Sequence, residues 1–302
     1  MKFLISGGTG YLGGFLAQEL LSQGHSVYSL TRRPHPELAL EKRFYELDFP
    51  KHPSSPGLFS LTKEVSPDVI IHCAAMSSPS ECEKNPNQTF LFNTQLPCVW
   101  AKEAAKLGTS FIFLSTDLVF EAYPESPEAG FSEKDQPKTY SVYAESKLKA
   151  ESLILSLPKS SVVRTALILG PPYAGKSGTL GWLQNAIKAG VDVPLYTDEY
   201  RTPVYVSDLA RFLRVLSESR ESGLFHAAGP DKLSRYKIGK ICAEALGLSM
   251  ENLKELSRLE HKASPSRAPD VALNASVVEN TFEIKFNRIK DALEADKEKF
   301  LL

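Results

Sequence analysis

Residues 2–14 read Lys-Phe-Leu-Ile-Ser-Gly-Gly-Thr-Gly-Tyr-Leu-Gly-Gly, and this stretch constrains the fold more than any other. Phe3, Leu4 and Ile5 form an apolar run of the length of a buried strand. Gly7, Gly10 and Gly13 follow in G-x-x-G-x-x-G spacing, and Leu12, Leu16 and Leu20 then recur on one helical face. Strand, glycine turn and helix in that order make an anion cradle. The first glycine permits a tight turn, the second lets backbone approach a pyrophosphate, and the third lets the helix pack closely on the strand. Free N–H groups at the helix start, and its dipole, hold the charge. A glycine-rich turn of some other α/β protein is the competing reading. The flanking strand and helix favour nucleotide binding over it.

The chain of 302 residues is 42% hydrophobic and 24% charged, enough for one large core or two lobes. A formal charge of -1 supplies no general attraction to nucleic acid or an anionic membrane, so neither is expected as a partner. Cys73, Cys82, Cys98 and Cys242 are scattered without a C-x-x-C pair. That pattern argues against a thiolate zinc site and for a reducing compartment, and no metal is expected. Phe3 to Ile5 is too short for the core of a secretory leader, and no run approaches the ~20 apolar residues that span a bilayer. A cytoplasmic protein is expected.

Further along, Ser26 to Leu30 is a second strand candidate, and Thr31-Arg32-Arg33-Pro34 follows it. In a dinucleotide-binding unit an acid at this strand end bonds the 2′-hydroxyl of NAD, whereas arginine accommodates the 2′-phosphate of NADP. Arg32 and Arg33 therefore favour NADPH, with NADH as the alternative; a solvated basic turn is the bland reading. Phe44 to Asp48 is a third strand candidate, with Asp48 as an adenine-side contact. Val69 to Ala75 reads as a strand ending in the small residues Cys73, Ala74 and Ala75, against which a cofactor can lie flat. A long helical segment after Asn85-Pro86 carries Asn93, and Phe111 to Leu114 is the next buried strand. Alternating strands and helices predict an α/β fold with a doubly wound parallel sheet, whose ligands sit outside the carboxyl ends of the strands.

Ser115-Thr116-Asp117 lies at such an end, and Tyr143-Ala144-Glu145-Ser146-Lys147 opens a helix after a proline-rich loop. The i, i+4 spacing puts Tyr143 and Lys147 on one helix face. A phenol titrates near ~10, and a neighbouring ammonium and a cationic nicotinamide both favour the phenolate. The Y-x-x-x-K pattern is weak by itself, since Tyr236 and Lys240 match it equally well. That second pair has no hydroxyl-bearing strand end before it and reads as a plain helix face.

With these residues in view, the chain resembles the extended short-chain dehydrogenases/reductases, and within them the dTDP-4-dehydrorhamnose reductase group. The resemblance is carried by Gly7 to Gly13, Pro67-Asp68-Val69-Ile70-Ile71-His72, Ser115 to Phe120 and Tyr143 to Leu148. Val163-Arg164-Thr165, Arg201 to Ala210 and Arg267-Ala268-Pro269-Asp270 extend it over nearly the whole chain. It implies a Rossmann-type domain at 1–169 plus about 204–229. It also implies a smaller, mostly helical C-terminal substrate lobe at 170–203 plus 230–302, which closes the substrate cleft. Tyr143 would be the acid/base, Lys147 would bind the nicotinamide ribose and tune Tyr143, and Thr116 would hydrogen-bond the reacting oxygen. Asn93 would support Lys147 through a water relay. Gly7, Thr9, Gly10, Tyr11, Leu12, Gly13, Cys73, Ala74, Ala75 and Ser115 would line the cofactor. Ser77, Thr116, Lys176 and Arg201 would meet the nucleotide-sugar substrate; for Arg201 a surface salt bridge is the alternative. Family members are often dimeric, so a homodimer is compatible. Three departures touch the pocket: Cys73 where asparagine is frequent, Leu118 where tyrosine is, and Ala144 where glycine is.

Gly170-Pro171-Pro172-Tyr173-Ala174-Gly175-Lys176-Ser177 also matches G-x-x-x-x-G-K-[ST], after an apolar strand expected at Ser161 to Leu169 and before a helix at Thr179 to Ala189. Pro171 and Pro172 lack the N–H groups an anion nest requires, so a phosphate loop is not expected here. The chain is then expected to return to the sheet at Arg201 to Ala210. The expected function is NADPH-dependent reduction of the keto group of a nucleotide-linked deoxy sugar. The alternatives are a non-catalytic nucleotide-binding regulator like the subunit of methionine adenosyltransferase, or a nucleotide-sugar epimerase or dehydratase, whose relatives use extra acid/base residues near the tyrosine.

Overall fold

The computed structural model describes residues 1–31, 44–46, 56–173, 178–260 and 268–300. Its centre is a sheet of seven strands, built from β1 (Lys2–Ser6), β2 (Ser26–Thr31), β3 (Phe44–Glu46), β4 (Val69–His72), β5 (Ser110–Thr116), β6 (Ser160–Thr165) and Gly223–Ala227. Across the sheet the order is Gly223–Ala227, β6, β5, β4, β1, β2, β3. β1 pairs in parallel with β2 on one side and β4 on the other; β2 with β3 and β4 with β5 are parallel too. The winding therefore reverses between β1 and β4, and a crevice opens at the carboxyl ends of the strands at such a reversal.

Continuous apolar runs are what a parallel sheet covered on both faces demands. Phe3 to Ile5, Val69 to Ile71 and Phe111 to Phe113 are all buried. On one face Leu4, Ile70, Phe111 and Phe113 pack with Trp100, Ala101 and Ala104 of the Leu96–Lys106 helix and with Ala150 and Ile154 of the Val142–Leu155 helix. Ser141 caps the latter helix by accepting the Ala144 N–H at 3.2 Å. A buried ion pair joins that helix to the sheet: Arg164 of β6 donates from Nε and Nη2 to Glu151 at 3.1 and 2.7 Å.

The residues cluster into two compact units, one of 1–116, 141–164 and 210–225, the other of 117–140, 165–209 and 226–302. In the second, Val193–Tyr196 pairs with Leu253–Leu256, Ile168–Leu169 with Val204–Tyr205, and Tyr200–Arg201 with Leu233–Ser234. Leu180, Leu183, Ile238, Cys242, Leu246 and Leu293, from the Gly178–Lys188, Arg235–Leu246 and Ile289–Ala295 helices, fill its core.

Three expectations about elements are corrected. The run Ser161 to Leu169 is two strands, because Ala166 donates its N–H to Ala227 while the Leu167 carbonyl accepts from Val204, so the chain changes partners there. Val204–Tyr205 consequently pairs outside the central sheet rather than returning to it. The helix after Pro86 contains a π-turn at Leu91–Gln95. Pro97 has no N–H for the carbonyl four residues before it, that of Asn93, so the regular ladder is interrupted there.

Arg164→Met should lower stability by about 3–5 kcal/mol, since it strands the Glu151 carboxylate in the interior. Urea denaturation checks this, and the double change Glu151→Leu with Arg164→Met should recover most of the loss.

Candidate active site

β1 hands the chain to the glycine turn at Ser6. Gly7 takes φ +71°, in the left-handed region, and a Cβ there would press on the Ala74 backbone at 3.2 Å. Its N–H donates to Leu30 of β2 at 2.8 Å, and Gly10 donates back to the Gly7 carbonyl at 2.7 Å. At Gly13 a Cβ would collide with that same carbonyl oxygen, so only glycine lets the Tyr11–Ser22 helix sit on the turn. Tyr11, Leu12 and Gly13 open this helix, and their N–H groups have no carbonyl partner within it. The Tyr11 phenol is pushed up by burial.

The end of β4 is laced to the same turn. Cys73 donates its N–H to the Ser6 carbonyl and Ala74 to Ser6 Oγ, both at 3.2 Å. Ser6 Oγ also bonds His72 Nδ1 at 2.9 Å. His72 lies between Phe111, Phe113 and Trp100 and is pushed down to about 3, first by burial and then by the Lys147 charge. Thr9 and Thr31 share a hydroxyl–hydroxyl bond that ties the turn to the end of β2. Gly7, Thr9, Gly10, Tyr11, Leu12, Gly13, Cys73, Ala74 and Ala75 thus gather at the carboxyl ends of the central strands β1 and β4. Arg32, Arg33 and Asp48 lie outside the described residues.

The neighbouring strand end carries the groups that the sequence marks for proton transfer. Lys147 is buried, and its Nζ donates to the Leu114 carbonyl at 2.8 Å and stands 4.5 Å from the centre of the Phe113 ring. Burial lowers it to about 8, and the Glu151 carboxylate opposes that shift. The Cys73 thiol is itself pushed up to about 12 by burial, so it stays neutral. Tyr143, partly buried, begins the same helix one turn earlier, and Thr116 is the last residue of β5. Ser115, expected at the cofactor, donates its hydroxyl to Glu151. Asn93 is buried in the π-turn: its amide donates to Met76 O at 2.9 Å and Ser146 Oγ at 3.1 Å, and its oxygen accepts from Met76 N at 2.9 Å. It therefore pins the loop after β4 to the residue next to Lys147, and Thr94 adds a 2.6 Å bond to the Ser146 carbonyl. Ser77 follows that loop and is exposed.

The RmlD substrate binding domain family model matches residues 1–300 of this chain. The chain belongs to that family. It is 26% identical to the probable low-salt glycan biosynthesis reductase Agl14 of Haloferax volcanii, over 82% of this chain and 81% of the relative. It is 27% identical to methionine adenosyltransferase 2 subunit beta of Rattus norvegicus, over 85% and 75%. In architecture it is similar to a dTDP-4-dehydrorhamnose reductase of Clostridium acetobutylicum, with a TM-score of 0.86, 24% identity and full coverage of both chains.

Other sequence candidates of this RmlD family member have their own settings. Arg201 is buried in the second unit, where it donates to Glu199 at 3.0 Å and to the carbonyls of Tyr200 and Ala268, with Asp117 at 3.9 Å. Lys176 lies outside the described residues, as does 174–177 of the phosphate-loop match. The strand before that match, Ile168–Leu169, pairs with Val204–Tyr205 outside the central sheet, unlike the strand that leads into a phosphate loop. Lys240 stacks on Tyr236, 5.7 Å from the ring centre, on the Arg235–Leu246 helix. Among the described residues no cluster of three or more His, Cys, Asp and Glu is placed to hold a metal ion, and no helix is long and apolar enough to cross a membrane.

The depressed Lys147 has a measurable signature. Between pH 8 and 10.5 the unfolded chain still holds the proton that folded Lys147 has lost, so this residue's contribution to stability rises with pH in that window. Wild type should therefore gain stability relative to Lys147→Met as pH climbs from 8 towards 10.5, and the difference should be flat below 8. Urea denaturation of the two proteins at several pH values measures it.

Proposed function

We propose that this protein is an NADPH-dependent reductase of the keto group of a nucleotide-linked deoxy sugar, with NADH as the alternative donor. The observation that carries it is Lys147, buried with its ammonium on the carbonyl two residues before Thr116 and one turn below Tyr143. Membership of the RmlD family and the naming of Agl14 as a reductase support the same reading.

The residues present fit a dinucleotide. Space that a Cβ would fill at Gly7 and Gly13 leaves bare backbone at the turn, and the N–H groups of Tyr11, Leu12 and Gly13 are suited to the pyrophosphate. Thr9 and Gly10 shape the turn, Cys73, Ala74 and Ala75 would lie along the cofactor, and Lys147 would hold the nicotinamide ribose. Arg32 and Arg33 would meet the 2′-phosphate, with Asp48 on the adenine side. When bound, the nicotinamide supplies a hydride to the carbonyl carbon. Tyr143 donates the proton that the keto oxygen takes up, and the Lys147 ammonium stabilises the phenolate left behind. Thr116 holds that oxygen in line by hydrogen bonding. Asn93 keeps the helix placed through Ser146.

Residues 170–203 and 230–302 form the proposed substrate lobe. Ser77, Lys176 and Arg201 are proposed contacts to the sugar nucleotide; Arg201 would have to exchange Glu199 for a diphosphate. The protein is proposed to work in the cytoplasm as a homodimer, whose mass light scattering would check.

The decisive experiment follows oxidation of NADPH or NADH with a panel of nucleotide-linked 4-keto-6-deoxy sugars. Turnover should require the sugar, favour NADPH, and fall by about 10²–10⁴-fold in Tyr143→Phe. NADPH binding without reduction of any sugar would sink the enzyme reading in favour of a regulatory one. Gly13→Ala should weaken NADPH binding at least about tenfold, since a methyl group there displaces the helix start from the turn.

A further inference from the structure

Ser115, Glu151 and Arg164 form a buried polar set that proton transfer does not use. Glu151 follows Lys147 by one helical turn and Tyr143 by two, so the three share one stripe of the Val142–Leu155 helix. Its carboxylate accepts Ser115 Oγ from β5 and the Arg164 guanidinium from β6. Lys147 donates to the carbonyl of Leu114, the residue just before Ser115. Two successive residues of one strand are thus held by two successive turns of one helix. Thr116 is the next residue of that strand, and Tyr143 begins the preceding turn. Sliding the helix by one residue, about 1.5 Å, would break both attachments at once.

We propose that Glu151 is a positioning residue which, through Ser115 and Arg164, sets where Tyr143 and Lys147 stand against the Thr116 end of β5. Its charge is also a counterweight to the burial of Lys147, favouring the ammonium. The kinetic consequence of this role rests on the reductase function proposed above; the effect on Lys147 does not. A pair that merely fastened helix to sheet would affect stability alone.

Ser115→Ala separates the two cases, because it removes the strand's bond and leaves the Glu151–Arg164 ion pair intact. With NADPH and a sugar that the wild type reduces, kcat is expected to fall about ten- to a hundredfold, while KM for the sugar changes less than about threefold. Ser115→Thr, which restores the hydroxyl, should recover most of the loss. Unchanged kcat in Ser115→Ala would overturn the role.

A second readout needs no turnover. In cofactor-free protein carrying ¹³C-labelled lysine, Lys147 should titrate about one pH unit lower in Glu151→Gln than in wild type. Glu151→Gln with Arg164→Gln replaces it if the single variant does not fold. An identical titration would also overturn the role. A lower titration in a protein that reduces no sugar would support the role and overturn the reductase instead.

Discussion

Everything at the candidate site depends on how closely bare backbone can approach bare backbone around Gly7. Its carbonyl receives Gly10 and leaves no room for a Cβ on Gly13, and its Cα faces Ala74 across the gap between β1 and β4. β1 is flanked by parallel partners on both sides, so this contact fixes the start of the first helix relative to the end of β4. Where the winding reverses, the glycine turn and the end of β4 therefore meet backbone to backbone. An extra methyl group on Gly13 would not merely fill space. It would move a helix.

The second foundation is electrostatic. A lysine, a glutamate, an arginine and a histidine all lie buried in the first unit within a few residues of the strand ends. Burial alone disfavours each charge, and the fold answers with specific partners: Arg164 for Glu151, the Leu114 carbonyl for Lys147. His72 is treated differently, kept neutral by burial and by the Lys147 charge. His72 therefore adds no second positive charge beside the Lys147 ammonium.

The features legible in the sequence are those whose chemistry is local. The G-x-x-G-x-x-G turn, the Tyr143–Lys147 turn of helix and the small residues after β4 each occupy a few consecutive positions, and the structure gathers the turn and the β4 end at the carboxyl ends of two central strands. The partners of Ser6, Thr31, Glu151 and Arg164 were not legible, because they come from strand order. Ser6 meets His72 across 66 positions of chain, and Glu151 acquires a partner only because β6 lies beside β5. A hydroxyl as the last residue of a strand is the signal that would have marked Ser6 and Thr31. The run from Ser161 to Leu169 misled for the opposite reason: its apolarity is continuous, while its hydrogen-bond partners change midway.

The π-turn at Leu91–Gln95 has a consequence for how such chains tolerate insertions and deletions. An α-helix advances by about 100° per residue, so one residue absorbed in a wide turn changes the angular phase of everything beyond it. Upstream of the shift the helix presents Asn93 to Ser146; downstream it presents Leu96, Trp100 and Ala104 to the sheet. A variant one residue shorter here could straighten the ladder but could not satisfy both faces. The length of this segment, more than its composition, ties the hydrophobic core to the Val142–Leu155 helix.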